Sequence, residues 1–329
     1  MQVLLANPRG FCAGVARAID IVEHALELYG PPVYVRHEIV HNQYVIAGLK
    51  ARGVIFVDEL YQIPDSAVAV FSAHGVPKSV NKQAEQRGLH VIDATCPLVT
   101  KVHRQVEKLC LADYEVVVIG HAGHPEVLGT MGQVRKHNHW RVHLVESIND
   151  IDNLNIQNPG KLGYVTQTTL SVDETREIIR ALLDRYPDII APATADICYA
   201  TQNRQDAVKA LARECELILV VGSSASSNSN SLKSLAEKLG KPAYLIDDPR
   251  DIKFHWLDGC DRIGVTAGAS APDELIEAII DQLVQYGATE IHELDGIKED
   301  VHFRRPKFPQ IAIESLSQSS SARNTAVSG

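Results

Sequence analysis

Short apolar runs alternate with amphipathic stretches along nearly the whole chain. "QVLLA" precedes a segment from Val15 to Tyr29 with apolar side chains near positions 15, 19, 22, 26 and 29, followed by Gly30. That spacing predicts one buried helix face and a stop. The runs "VYVRHEIV", "GVIFV", "AVAVFSAHG", "HVIDATCP", "EVVVIGHAGHPEV", "KLGYVTQTTLS", "LILVVGSSASSNSNS", "PAYLIDD" and "RIGVTAGASAPDEL" each open as a strand and pass into a polar loop or a helical pattern. Strands alternating with helices predict an α/β fold, with parallel-rich sheets covered by helices on both faces. In such sheets ligands bind beyond the carboxyl ends of the strands.

The alternation repeats itself. "NPRGFCAGV", "DATCPLV" and "DICYATQ" each bring a cysteine to the opening of a helix, and Pro97 in the first turn makes Cys96 the expected N-cap. "VVVIGHAGHPEV" and "LVVGSSASSNSNS" share a strand, a glycine, a polar loop and a helix; "VTQTTLSVDET" and "VTAGASAPDEL" share a strand, small polar residues and an acidic helix start. This predicts three related α/β units, roughly 13–97, 98–195 and 196–283, about a shared centre where their loops meet. As domains the boundaries are 1–97, with the N-terminal loop, 98–195 and 196–283, then an extension over 284–310. The Ser-rich segment 311–329 is expected to be disordered.

Composition narrows the class. A chain of 329 residues exceeds what one core usually serves. No apolar run is long enough to span a bilayer, and no basic segment followed by a long apolar stretch opens the chain, so a cytoplasmic protein without a membrane is expected. A formal charge of -9 argues against nucleic acid as a partner. With no export signal, the six cysteines read as reduced thiols, metal ligands or nucleophiles rather than a disulfide framework.

Cys12, Cys96 and Cys198 share the strand-to-helix context, where a helix N-terminus favours a thiolate. Three such thiolates suit an iron–sulfur cluster without a fourth protein ligand, whose free iron could bind substrate. Ordinary buried cysteines and a three-cysteine zinc site remain open on spacing alone. Cys110, Cys215 and Cys260 lack the loop context and read as packing residues. His41, His74 and His124 each follow a strand-like run, as candidate donors to an anion; His121 ranks below them. "SSASSNSNS" between a strand and the helix "LKSLAEKLG" reads as an anion-binding turn, with Ser226, Ser227 and Asn228 as donors. Thr168 and Ser270 are their equivalents in other repeats, or simple N-caps. Glu126 is either an acid in an enclosed pocket or a first-turn glutamate matched to the helix dipole.

Taken together, "LLANPRGFCAGV", "YVRHEIVHN", "FSAHGV", "DATCPLVTKVH", "GHAGHPEVLGTMGQ", "TQTTLSVD", "DICYATQNRQ", "SSNSN" and "GVTAGASAPD" make the chain resemble the 4-hydroxy-3-methylbut-2-enyl diphosphate reductases from residue 1 to about 285. The resemblance implies a trefoil of three α/β domains around a central 4Fe–4S cluster held by Cys12, Cys96 and Cys198. It implies a diphosphate pocket of His41, His74, His124, Thr168, Ser226, Ser227, Asn228 and Ser270, with Glu126 as proton donor and Thr168 as relay. The implied reaction is reductive dehydroxylation of the allylic diphosphate to isopentenyl and dimethylallyl diphosphate, the last step of the non-mevalonate isoprenoid pathway. It takes two electrons and two protons, with flavodoxin or ferredoxin as donor. The stretch 134–160 and the tail after 310 match no motif. An iron–sulfur electron carrier, or a zinc hydrolase acting on a diphosphate, are the competing classes; a carrier has no need of "SSNSN" or Glu126.

Overall fold

The structure, a computed structural model, describes residues 1–134 and 141–311. Among these, twelve strands form three sheets in which every pairing is parallel. The first has the order β3-β2-β4-β5 (Val54–Val57, Val33–Arg36, Val68–Phe71, His90–Asp93). The second is β7-β6-β8 (Val142–Val145, Glu115–Ile119, Leu162–Thr166). The third is β10-β9-β11-β1-β12 (Ala243–Ile246, Leu217–Val221, Arg262–Ala267, Gln2–Leu5, Glu290–Glu293). Parallel strands need helical crossovers, which cover both faces, so central strands read as continuous apolar runs. "LILVV" in β9 is buried at every position.

Each sheet therefore carries two cores. Val33, Val35 and Val70 pack under α1 (Ala13–Tyr29), while Tyr34 and Phe71 pack under α3 (Lys78–Gln86). Val116 and Val118 meet Val102 and Val106 of α4 (Pro97–Leu111); Val117 and Ile119 meet Ile178 and Leu182 of α7 (Val172–Arg185). Ile218 and Val220 meet Val208 and Leu211 of α8 (Tyr199–Glu214) and Leu232 of α9 (Ser227–Lys238), while Leu219 and Val265 meet Leu275 and Ile279 of α10 (Asp273–Tyr286). Each fully buried Val, Leu or Ile contributes about 1.5–3 kcal/mol relative to exposure.

The α/β class with parallel sheets is as the alternation implied. Strand pairing departs from the sequence boundaries at both ends. β1 lies between β11 and β12, so Gln2–Leu5 belong by hydrogen bonding to the third sheet, although the chain then enters α1 on the first. β7 and β12 carried no strand signal: β7 falls in the stretch without motifs, and "EIHE" of β12 is an exposed edge. The polar run after β9 is also shorter as a loop than expected. α9 starts at Ser227, and "SNSNS" forms its first turns. Several of its polar groups are satisfied locally or across the site: Ser226 accepts the Ser229 N–H, Asn230 donates to the Ser224 carbonyl, and Ser231 donates to the Thr169 carbonyl.

Beyond β12 the extension is a strap back to the first unit. Phe308 and Ile311 pack on its core, Tyr29 donates to the Pro309 carbonyl, and Arg305 pairs with Asp20. Glu299 pairs with Arg204 at 3.0 Å, with the arginine side chain fully buried. The tail expected to be disordered lies, from residue 312 onward, outside the described residues. Glu299→Ala is expected to cost about 3 kcal/mol of stability, because it leaves a buried guanidinium without its carboxylate. Chemical denaturation checks this; a loss below about 0.5 kcal/mol would mean that other contacts hold the strap.

Candidate functional site

The carboxyl ends of the three sheets open onto one cavity of about 690 Å³, counting its mouth. Every site residue expected from the sequence lines it: Cys12, Cys96, Cys198, His41, His74, His124, Glu126, Thr168, Ser226, Ser227, Asn228 and Ser270. Each cysteine is the N-cap of a helix: Cys12 of α1, Cys96 of α4 and Cys198 of α8. Each also marks a hand-over between units, since α1, α4 and α8 pack on the first, second and third sheets respectively.

The three cysteines are held alike. Cys96 N–H donates to the Ala73 carbonyl (3.0 Å), Cys198 N–H to the Thr168 carbonyl (3.0 Å) and Cys12 N–H to the Ala269 carbonyl (3.2 Å). Ala73, Thr168 and Ala269 each lie two residues beyond a strand: β4, β8 and β11.

The thiols fit a shared metal cofactor. A Cβ on Gly14 would lie 2.7 Å from the Cys96 sulfur and 3.8 Å from the Cys12 sulfur, which bounds their separation at the sum of those distances. Only glycine leaves that gap open. Burial pushes the Cys96 thiol up to about 12 and the Cys198 thiol up to about 11. Desolvation thus outweighs the helix N-termini, and a cationic metal centre is what would hold these groups as thiolates. Among the described residues no group of three or more His, Cys, Asp and Glu could hold a single metal ion. All three thiols line the one cavity. Cys110 and Cys215 are core residues, and Cys260 packs beside a core.

The same cavity is lined by imidazoles, hydroxyls and an amide. His41 and His74 stack with ring centroids 4.3 Å apart, and His124 meets both edge-on at 5.6 Å. Burial and the neighbouring imidazoles push His74 well below the usual histidine range and His124 down to about 4. Glu126 N–H donates to His124 Nδ1 (3.1 Å), which leaves Nε2 to carry the proton of the neutral ring. His41 Nδ1 lies 2.9 Å from the Glu38 carboxylate, and its buried Nε2 has no partner. Asn228 Nδ2 is likewise buried and unpartnered, while its Oδ1 accepts the Ala269 N–H. Unpaired buried polar atoms are costly, so this wall calls for a hydrogen-bonding ligand, with Asn228 Nδ2 as a free donor to it.

Glu126, in the first turn of α5 (Pro125–Met131), is more than a dipole match. Thr168 donates to it twice: N–H to Oε1 at 2.7 Å and Oγ1 to Oε2 at 3.0 Å. Burial outweighs these bonds and raises its pKa to about 7. Thr168 is no N-cap, since Ser171 caps α7. Nor is Ser270, whose hydroxyl donates to the His41 carbonyl (3.0 Å). His121 is exposed and outside the cavity. Sequence reasoning missed Thr169, Thr201 and Gln167. Thr201 bonds the Cys198 sulfur by its N–H and hydroxyl, and Thr169 and Gln167 both donate to Ser227. "TQTT" and "CYAT" are too common in form to mark them.

The family model for LytB protein matches residues 3–284. 4-hydroxy-3-methylbut-2-enyl diphosphate reductase of Pseudomonas entomophila is 56% identical over 316 residues, 96% of this chain and all of that one. The enzyme of the same name from Azotobacter vinelandii is 56% identical over 307 residues, 93% of this chain and 98% of that one. Among solved structures, the E-1-hydroxy-2-methyl-but-2-enyl-4-diphosphate reductase of Plasmodium falciparum superposes with a TM-score of 0.88 at 37% identity, covering 98% of this chain and 99% of that one. A second, an (E)-4-hydroxy-3-methyl-but-2-enyl diphosphate reductase described as the terminal enzyme of the non-mevalonate pathway, gives 0.62 at 32% identity, with 86% and 99% covered.

The cavity sets a pH dependence. His74 and His124 are depressed in the folded state, so unfolded imidazoles protonate first as pH drops below about 6.5. Stability of the ligand-free protein is expected to fall between about 6.5 and about 4. Melting temperatures across that range check this, and His74→Gln should flatten the slope. An unaltered slope in the variant would assign the acid sensitivity elsewhere.

Proposed function

The chain belongs to the LytB protein family, and from that membership we propose that it catalyses the reaction its relatives are named for, reduction of 4-hydroxy-3-methylbut-2-enyl diphosphate. The observation that carries this reading is a single cavity with three thiols and a buried carboxyl held by Thr168 on its walls. Cys12, Cys96 and Cys198 would hold a 4Fe–4S cluster. When bound, it supplies electrons one at a time and an iron corner free for an oxygen ligand.

The chain's own residues do the rest. His41, His74, His124, Ser226, Ser227, Asn228 and Ser270 receive the diphosphate. Neutral N–H and O–H groups share its charge, with the start of α9 adding its dipole. His74 and His124, depressed while the cavity is empty, gain protons as the anion enters. Glu126 holds a proton near neutral pH and delivers it to the C4 hydroxyl, which leaves as water. Thr168 orients the carboxyl through both oxygens and relays the proton. Two electrons and a second proton complete the balance and give isopentenyl and dimethylallyl diphosphate. A reduced flavodoxin or ferredoxin fits as electron donor. A cytoplasmic setting suits six cysteines that are all free. Among the described residues no helix is long and apolar enough to cross a membrane.

Consumption of reduced viologen by anaerobically purified protein tests the activity. It should require the allylic diphosphate, and consumption that ignores the diphosphate would point to an electron carrier. Cys198→Ser should lose iron and sulfide; full retention would place the ligand elsewhere. Glu126→Gln should keep iron and bind substrate yet lose about 10²–10⁴-fold in turnover. In the parent enzyme kcat/KM should fall as pH rises through about 7, where Glu126 loses its proton. A flat profile, or near-normal turnover of the variant, would remove the acid role.

A further inference from the structure

Each cysteine-capped helix carries a cation in its second turn: Arg17 on α1, Lys101 on α4 and Arg204 on α8. None of the three lines the cavity. Each reaches instead to the loop that leads into the next cysteine. Arg17 Nη1 donates to the carbonyls of Ala94 (3.2 Å) and Thr95 (3.0 Å), just ahead of Cys96. Lys101 Nζ donates to the carbonyls of Thr194 (3.1 Å) and Ala195 (2.8 Å) and pairs with Asp196 at 3.3 Å, just ahead of Cys198. Arg204 puts Nε and Nη2 on the Gly10 carbonyl (3.1 and 2.7 Å), just ahead of Cys12. The order is cyclic and closed: the Cys12 helix holds the Cys96 loop, the Cys96 helix holds the Cys198 loop, and the Cys198 helix holds the Cys12 loop.

We propose that Arg17, Lys101 and Arg204 form a closed brace of positioning residues that sets the spacing of the three thiols. The inference rests on those thiols sharing one cofactor. A carbonyl gripped by a cation is a strong, directional tie. The loops before Cys96 and Cys198 are tied to their own sheets, Ala94 N–H to the Phe71 carbonyl and Thr166 N–H to Asp196, and the cations add a tie from the neighbouring cysteine helix. Backbone bonds of each cysteine N–H fix where its helix starts. The cations fix something different, the distance from one cysteine-bearing element to the next. Two members are buttressed from outside the ring: Glu299 pairs with Arg204, and the Arg304 carbonyl accepts from Arg17 Nε at 2.8 Å. The closed arrangement predicts that loosening any one member alters the whole site.

Lys101 is the member to change, because its side chain is partly exposed and the buried Asp196 carboxyl it pairs with, its pKa raised by burial, can take a proton when the cation goes. Parent, Lys101→Met and Lys101→Arg are reconstituted anaerobically with iron and sulfide. Three quantities are read: iron and sulfide content, the rate of iron loss to a chelator, and the electron paramagnetic resonance of the reduced protein. The melting temperature of the metal-free form is measured alongside. The brace predicts at least tenfold faster iron loss in Lys101→Met with a changed resonance. The metal-free melting temperature should move by no more than a few degrees, and Lys101→Arg should restore the parent behaviour. Iron loss and resonance like the parent would overturn it. So would a fall in metal-free melting temperature that accounts for the iron loss, since that marks a structural residue only. Arg17→Met provides an independent arm with the same expectation. A parent that takes up no iron would sink the cofactor reading itself and the brace with it, an outcome distinct from variants that bind iron normally.

Discussion

The structure depends on a hydrogen bond made three times over: a cysteine backbone N–H donated to a carbonyl two residues past the end of a parallel strand. A helix N-terminus leaves its first N–H groups without partners inside the helix. Here the capping residue's own N–H is spent on a neighbouring strand's loop, which pins the helix start to a sheet it does not pack on. Because α1, α4 and α8 each cross from one unit to the next, three local bonds draw three sheets to one centre. The trefoil and the site are therefore consequences of one constraint.

The electrostatics of that centre follow from its dryness. Burial drives every resolved shift on the cavity wall toward the neutral form: thiols up, imidazoles down, the Glu126 carboxyl up to about 7. An empty site thus carries little charge of its own. Under the proposed function it would gain charge in balanced pairs, thiolates with metal and imidazolium with phosphate, so that a chain of net charge -9 could hold a diphosphate without a cluster of lysines. Desolvation strengthens each pairing once formed.

Much of this was legible in the sequence. Strand-to-helix junctions in "FCAGV", "TCPLV" and "ICYAT" stand out because parallel α/β folds put ligands there, and all twelve expected site residues reach one cavity. Other parts carried no sign. β12 is exposed along its length, so no alternation betrays it. β1 reads as a strand but says nothing of its partners, which come from the far end of the chain. "SNSNS" looks like a loop because its polar side chains favour turns in isolation; a distant partner on the Thr169 carbonyl and a local one on the Ser224 carbonyl let it be helix. The cations at 17, 101 and 204 look like ordinary helix-surface charges until the loops they grip are placed beside them.

The carbonyls that hold the cysteines belong to residues whose N–H groups face the other way. Thr168 accepts from Cys198 and donates to Glu126. Ala269 accepts from Cys12 and donates to Asn228. Ala73 accepts from Cys96 and donates to the Ile39 carbonyl, close ahead of His41. In each unit one residue therefore ties a thiol on one side to a polar loop from a neighbouring strand on the other. A shift of a cysteine helix must move the residue that holds the acid, the amide or the histidine loop in the same unit. The spacing of the thiols and the placement of the polar wall are thus mechanically one property. The same four-residue pattern, a strand end followed by a short step, recurs in "FSAH", "TQTT" and "AGAS" with different side chains but the same bond from a third-position carbonyl to a cysteine N–H.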